Sequence, residues 1–229
     1  MSPWRRHRAL ERLAETWPEL EGEQPPARAV LAGIVERAGH GWTLIDPSEA
    51  GDGYEAAVVD GRIPTRERSW HDTFNVLAFV EFPRSKAALH RRCLELQRAR
   101  ERKPPRSREE DALTLIDETS LVFAGTAEAL ADLQRARAAR ELGEIDRVIR
   151  ARAIHVFVLG HALLEHLALG RPPIGAGGLP VALTGVVERE QVAKHVDTTL
   201  AERIAAGEFE RPQLSPTVPW PDPIVDAWL

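Results

Sequence analysis

The run from Ala153 to Leu169, AIHVFVLGHALLEHLAL, constrains the fold most, because it is apolar nearly all the way round a helical wheel. A helix with no polar face has to be wrapped by other elements, so this run belongs at the centre of a core. Upstream, Leu142, Ile145 and Ile149 recur at helical spacing, and the simplest reading is one long buried helix from Leu142 to Leu169. Periodicity leaves a second reading open, with Ile154 to Leu159 a strand that enters a helix at His161. In both readings His161 and Glu165 lie one turn apart on a buried element. Buried ionisable groups need partners, so the two either satisfy a polar core or line a pocket and reach one metal ion or substrate group together.

A second stretch, Arg62 to Lys86, carries the other concentration of polar groups. Ser69 followed three residues later by Asp72 reads as a capping box, which starts a helix at Trp70. His71 and Asn75 then share a face, while Phe74 and Leu77 point elsewhere. In the first turn, the positive end of the helix disfavours protonation of His71 and keeps its imidazole available as base or ligand. Arg84 and Lys86 follow Pro83 at the start of a further amphipathic helix, Ser85 to Lys103, where free N–H groups attract anions.

The remaining chain reads as follows. Pro3 to Trp17 and Val30 to Val35 are N-terminal helices. Trp42 to Ile45 and Tyr54 to Val59 are short β-like runs around the Gly51-Asp52-Gly53 turn. Pro104-Pro105 stops the amphipathic helix, a charged loop runs to Asp111, and Ala112 to Ile116 pairs with Leu121 to Ala124 as a hairpin through Asp117-Glu118. Thr126 caps the next helix, Ile174 to Pro180 is a glycine-rich connector, Val181 to Val187 a strand and Glu188 to Ala206 a helix. A proline-rich tail, Phe209 to Leu229, either lies on the surface or anchors through Trp220 and Trp228. The whole is a single α+β domain over 1–229, mostly helical with a small sheet: N-terminal helices in 1–41, a core in 42–206, and the tail in 207–229.

Net charge of −5 argues against general nucleic-acid binding. No apolar run reaches ~18 residues without charge, so no membrane span is expected. The single cysteine, Cys93, excludes an internal disulfide and a cysteine-based zinc site, and the N-terminus lacks a signal-peptide pattern; a cytoplasmic location follows as the simplest expectation.

The series Pro64-Thr65-Arg66-Glu67, Trp70-His71-Asp72-x-Phe74-Asn75, Phe82-Pro83-Arg84-x-Lys86-x-x-Leu89, Asp117-Glu118 and Gly160-His161-Ala162-Leu163-x-Glu165 resembles an uncharacterised bacterial family, Domain of Unknown Function 3025. His90 stands where an asparagine is expected, and Thr119-Ser120 replace a more glycine-like turn. The resemblance implies no established activity. It does place His71, Asp72, Asn75, Arg84, Lys86, Asp117, His161 and Glu165 in one shared polar pattern, of the kind that converges in ligand sites.

These residues predict a hydrolase-like enzyme for a small anionic substrate, phosphorylated substrates included. His161 and Glu165, with Asp72 or Asp117, would hold a divalent metal that activates water; His71 would act as general base or extra ligand. Arg66, Asn75, Arg84 and Lys86 would bind the substrate. The rival class is a non-catalytic module that uses the same pocket to bind a small ligand or a partner.

Overall fold

The computed structural model describes residues 2–99, 106–172, 174–184, 188–209 and 218–219. After a short 3-10 turn, Pro3–Arg5, helix α1 (Arg8–Thr16) turns Leu10 and Ala14 inward. Helix α2 (Arg28–Ala38) stops at Gly39, whose φ of 71° is the left-handed cap that glycine adopts without strain. Strand β1 (Thr43–Ile45) pairs in parallel with β2 (Arg62–Pro64), and helix α3 (Tyr54–Val59) connects them. The β-like reading of Tyr54–Val59 is thus corrected: parallel neighbours need a crossover, and Ala56-Ala57 let the apolar run coil into one. Helix α4 (Trp70–Glu81) begins at Ser69, as the sequence predicts, and α5 (Pro83–Ala99) follows it; Lys103 and Pro104-Pro105 lie outside the described residues.

The predicted hairpin is also corrected. Arg108–Thr119 is one helix, α6, opened by a capping box between Ser107 and Glu110 and by three acidic residues in its first turn. Asp117 and Glu118 therefore stand on its last turn. Strand β3 (Ser120–Gly125) follows directly, then α7 (Ala127–Ala139), whose cap is the Thr126 side chain as predicted, and α8 (Leu142–Ala151). The long central helix is replaced by its alternative. Ala153 takes φ 48°, the chain leaves the helix, and β4 (His155–Val158) leads to α9 (His161–Ala168). A strand buried on both faces is apolar all round for the same reason that a buried helix is, and Ile154, Val156 and Val158 favour the strand. The most buried helix is instead α4, with every residue from Asp72 to Val80 buried.

The glycine-rich connector is a strand too, β5 (Gly175–Ala182). A Cβ at Gly178 would lie 3.0 Å from both Phe123 and Arg137, so glycine there lets β5 lie close under those side chains. Helix α10 (Arg189–Ala205) and the short β6 (Val218–Pro219) complete the described fold; residues 185–187, Trp220 and Trp228 lie outside it. The sheet order is β4-β3-β5-β6, with β3 antiparallel to β4 and parallel to β5.

That sheet separates two cores. Leu121, Phe123 and Val156 point to one face, which α1, α2, α4, α7 and α8 cover; Val122, Ala124 and Phe157 point to the other, against α5, α6 and α10. Trp4, fully buried, packs its ring on Trp70 and Phe74 and so braces the start of α4 from behind.

Gly160 links this frame to the site. Its N–H donates to the Ser120 carbonyl at 2.9 Å, and a Cβ on it would fall 2.3 Å from the Ser120 nitrogen. The close crossing brings His161 beside the last turn of α6. Gly160→Ala is expected to cost about 1–3 kcal/mol or more by overpacking against backbone that cannot rotate away. A urea unfolding curve measures it, and an unchanged midpoint would mean the crossing has slack.

Candidate metal centre

The site forms where the beginning of α4, the end of α6 and the beginning of α9 meet. At α4, the Asp72 N–H donates to Ser69 Oγ at 3.3 Å, the expected cap. Asp72's carboxylate does not close the capping box. It turns back to accept from the Arg66 backbone N–H at 2.6 Å and from the Arg66 guanidinium at 2.7 and 3.0 Å. Burial pushes the Asp72 carboxyl up, but these bonds outweigh it and hold it below its ordinary range. Asp72 and Arg66 therefore neutralise each other on the cavity wall.

His71 and His161, ninety residues apart, face each other with ring centroids 4.5 Å apart and Nε2 atoms 3.2 Å apart. His71 Nδ1 lies 3.2 Å from Glu165 Oε2, and since a carboxylate accepts, the proton sits on Nδ1 and the Nε2 lone pair points to His161. Glu118 Oε2 is 3.5 Å from His161 Nε2. One donor atom each from His71, Glu118 and His161 all lie within 4.8 Å of one another. Asp117 stands behind His161, its Oδ1 3.9 Å from Nδ1.

Electrostatics follow from burial. His161 is 2% exposed, and burial lowers its pKa to about 3, leaving a neutral ring with one nitrogen lone pair to offer. Burial and the neighbouring Asp117 raise Glu118 above the ordinary carboxylate value. Asp117 is itself driven up by burial, but the adjacent Lys86 ammonium prevails and keeps it ionised. In the metal-free protein, His161 gains a proton on unfolding below its unfolded pKa of 6.5. The unfolded state then binds more protons, and stability falls as pH drops from about 6.5 toward 3, by at most about 1.4 kcal/mol per unit. Asp117 stays ionised in both states above about pH 4.5, so it adds nothing in the upper part of that window, and comparison with a variant lacking the imidazole picks out the His161 contribution. Thermal melts of His161→Asn should show a flatter profile there than the parent; parallel profiles would refute the assignment.

Lys86 is not available to a ligand. Fully buried, its ammonium donates to Asp117 Oδ1 and, at 2.8 Å, to Asn75 Oδ1, and lies 4.6 Å from the Phe79 ring centroid. Asn75 in turn donates to the Tyr54 hydroxyl at 2.7 Å. Arg84 lies apart from this cluster. The N–H groups of Arg84 and Ser85 at the start of α5 donate to the Asp197 carboxylate at 3.1 and 2.8 Å, so that helix start already holds an anion from the chain itself. The Arg84 guanidinium donates to Thr198 Oγ1 at 2.9 Å.

A cavity of about 360 Å³ opens beside the cluster, lined by Arg66, His71, Asp117, Glu118 and His161 at one end and by Tyr54, Glu55 and His90 on the α3–α5 wall. The family model described as a protein of unknown function (DUF3025) matches residues 45–222, a span that contains every residue of this cluster. The chain belongs to that family. No curated protein and no solved structure matches it. Among the described residues of this DUF3025 chain no helix is long and apolar enough to cross a membrane.

The structure thus brings His71, Asp72, Asn75, Lys86, Asp117, His161, Glu165 and Arg66 into one neighbourhood and leaves Arg84 outside it. Glu165 reaches the centre through His71, and its other oxygen lies 3.7 Å from Arg171. Sequence reasoning passed over Glu118 as a donor. The signal was its place beside Asp117: on a helix end, adjacent carboxylates fan out, one toward Lys86 and the other toward the two imidazoles. It also passed over Tyr54, Glu55 and His90, whose pairing depends on α3 being a helix.

Proposed function

We propose that this site binds a divalent cation of the zinc type and uses it to activate water for hydrolysis of a small substrate. The observation that carries the reading is the 3.2 Å separation of the two Nε2 atoms. Zinc–nitrogen bonds of about 2.0–2.1 Å at a tetrahedral angle set ligand edges near 3.3 Å. The two Nε2 atoms face each other at that spacing, and with its proton on Nδ1 the His161 ring would present its lone pair there beside that of His71; Glu118 lies one similar edge away. His71, His161 and Glu118 are three ligands, the number that leaves a coordination position for water.

The groups behind the two imidazoles agree. Glu165 fixes the His71 tautomer through Nδ1, the usual carboxylate–imidazole–metal order, and Asp117 stands behind the opposite imidazole. Charge also agrees. Asp72 is matched by Arg66 and Asp117 by Lys86, whereas Glu118 has no Lys or Arg partner among the described residues. A divalent cation would lower the bound water's pKa toward about 7 and present hydroxide at neutral pH. With both nitrogens engaged, His71 serves as a ligand rather than as a free base.

The substrate reading narrows. Lys86 is buried in ion pairs and Arg84 lies apart, so neither supplies the expected anion clamp, and the polarised oxygen of the substrate falls to the cation with Arg66 nearby. One charged or polarised oxygen fits this arrangement better than a phosphate polyanion. The test is the full chain stripped with chelator, reloaded with zinc or manganese, and assayed against small esters, amides and phosphomonoesters. Metal-dependent turnover that His161→Ala abolishes supports the reading; stoichiometric metal without turnover on any of them would make the protein a metal-holding binding module instead.

A further inference from the structure

On the α3–α5 wall of the cavity, away from the three donors, His90 is buried at 2% exposure with its Nδ1 2.6 Å from Glu55 Oε2. Because the carboxylate accepts, Nδ1 carries the proton, and the tautomer this contact selects offers a lone pair at Nε2. That Nε2 is buried and has no hydrogen-bond partner among the described residues. A buried, unmatched acceptor is costly, and such groups in native structures mark strain, ordered water or a ligand position.

Two aromatic rings fix the orientation of this imidazole. It stacks on Phe79 with centroids 5.3 Å apart and planes 11° apart, and Tyr54 meets it edge-on at 5.4 Å. On α5 it stands one turn beyond Lys86, whose ammonium binds Asp117 behind His161. The Glu55–His90 pair and the donor cluster therefore share one cavity and are tied through the same helix.

We propose that the Glu55–His90 pair is the distal recognition point of this cavity, and that it selects substrates carrying an N–H or O–H donor a few bonds from the oxygen held at the metal. This rests on the metal reading above and adds the substrate class: a compact molecule with a polarised oxygen at one end and an amide, amine or hydroxyl donor at the other. Glu55 sets the tautomer and His90 makes the contact, so Glu55 is a positioning residue and His90 a binding one.

Two hydroxamates on zinc-loaded full-length protein separate the claims. Acetohydroxamate probes the metal alone; the hydroxamate of succinamic acid adds a terminal carboxamide donor. The parent should bind the longer probe about tenfold more tightly, the worth of one buried hydrogen bond. His90→Phe, which keeps the stack on Phe79 but has no nitrogen, should erase that gain while zinc content and acetohydroxamate affinity stay unchanged. If the unpaired Glu55 destabilises that variant, the Glu55→Gln/His90→Phe pair serves in its place. A gain that survives in these variants, or no gain in the parent, overturns the distal contact while leaving the metal reading intact. Failure of the parent to hold zinc or acetohydroxamate overturns both.

Discussion

His161→Ala is expected to abolish stoichiometric zinc binding, and His71→Ala to do the same. Each removes one of only two imidazoles whose Nε2 atoms meet at 3.2 Å, and a single imidazole with Glu118 cannot complete a three-ligand site. The comparison with Glu165→Gln gives the prediction its shape. Glu165 orients His71 through Nδ1 without facing the other donors, so its loss should weaken zinc by about 10–100-fold and leave stoichiometry attainable at high metal. Elemental analysis after dialysis, together with competition against a chelating dye, measures all three. Equal losses in all three variants would mean that Glu165 is itself a ligand, as the i, i+4 spacing first suggests; no loss in either histidine variant would remove the site.

Lys86→Met should destabilise the protein by about 3–5 kcal/mol, the range for breaking one side of a buried ion pair. The ammonium is fully buried, its partner Asp117 lies on the end of α6, and Asn75 and the Tyr54 hydroxyl hang from the same network. Methionine fills the volume and keeps the contact with Phe79, so the loss isolates the charge. Lys86→Met/Asp117→Asn should recover much of it, because no carboxylate is then left uncompensated. Chemical unfolding of the three variants reads the cycle. If the single change costs under about 1 kcal/mol, Asp117 finds solvent or another cation and the network does not hold α6 in place.

Local rules carried far in this chain. Ser69 and Thr126 cap the helices they were expected to cap, and Gly39 ends α2 in the left-handed conformation. The convergence of His71 and His161 was expected from the polar pattern in which the family resemblance places both, and the two rings do meet. The shared face of His161 and Glu165 was legible as well: both reach the same His71 ring.

What stayed hidden depends on tertiary pairing. Ala112–Ile116 is a short apolar run that suits strand or helix, and the Ser107–Glu110 capping box decides it only once the charged run before it is read as a first turn. The run through His155–Val158 is a strand because β3 lies beside it, which no window of that length contains. On the proposed reading of the metal centre, Glu118 takes the place expected of Glu165 for the same reason. Spacing along one helix named the nearer carboxylate, whereas the donor beside the imidazoles comes from α6, brought there by the glycine crossing at Gly160.

The most direct test of the metal centre is anomalous diffraction at the zinc edge from crystals of the full chain grown with zinc. One strong peak is expected between the His71 and His161 rings, bonded to both Nε2 atoms and to Glu118 at about 2.0–2.2 Å, with Glu165 on the far side of His71. Density at Glu165 instead, or none between the two rings at saturating zinc, would contradict it.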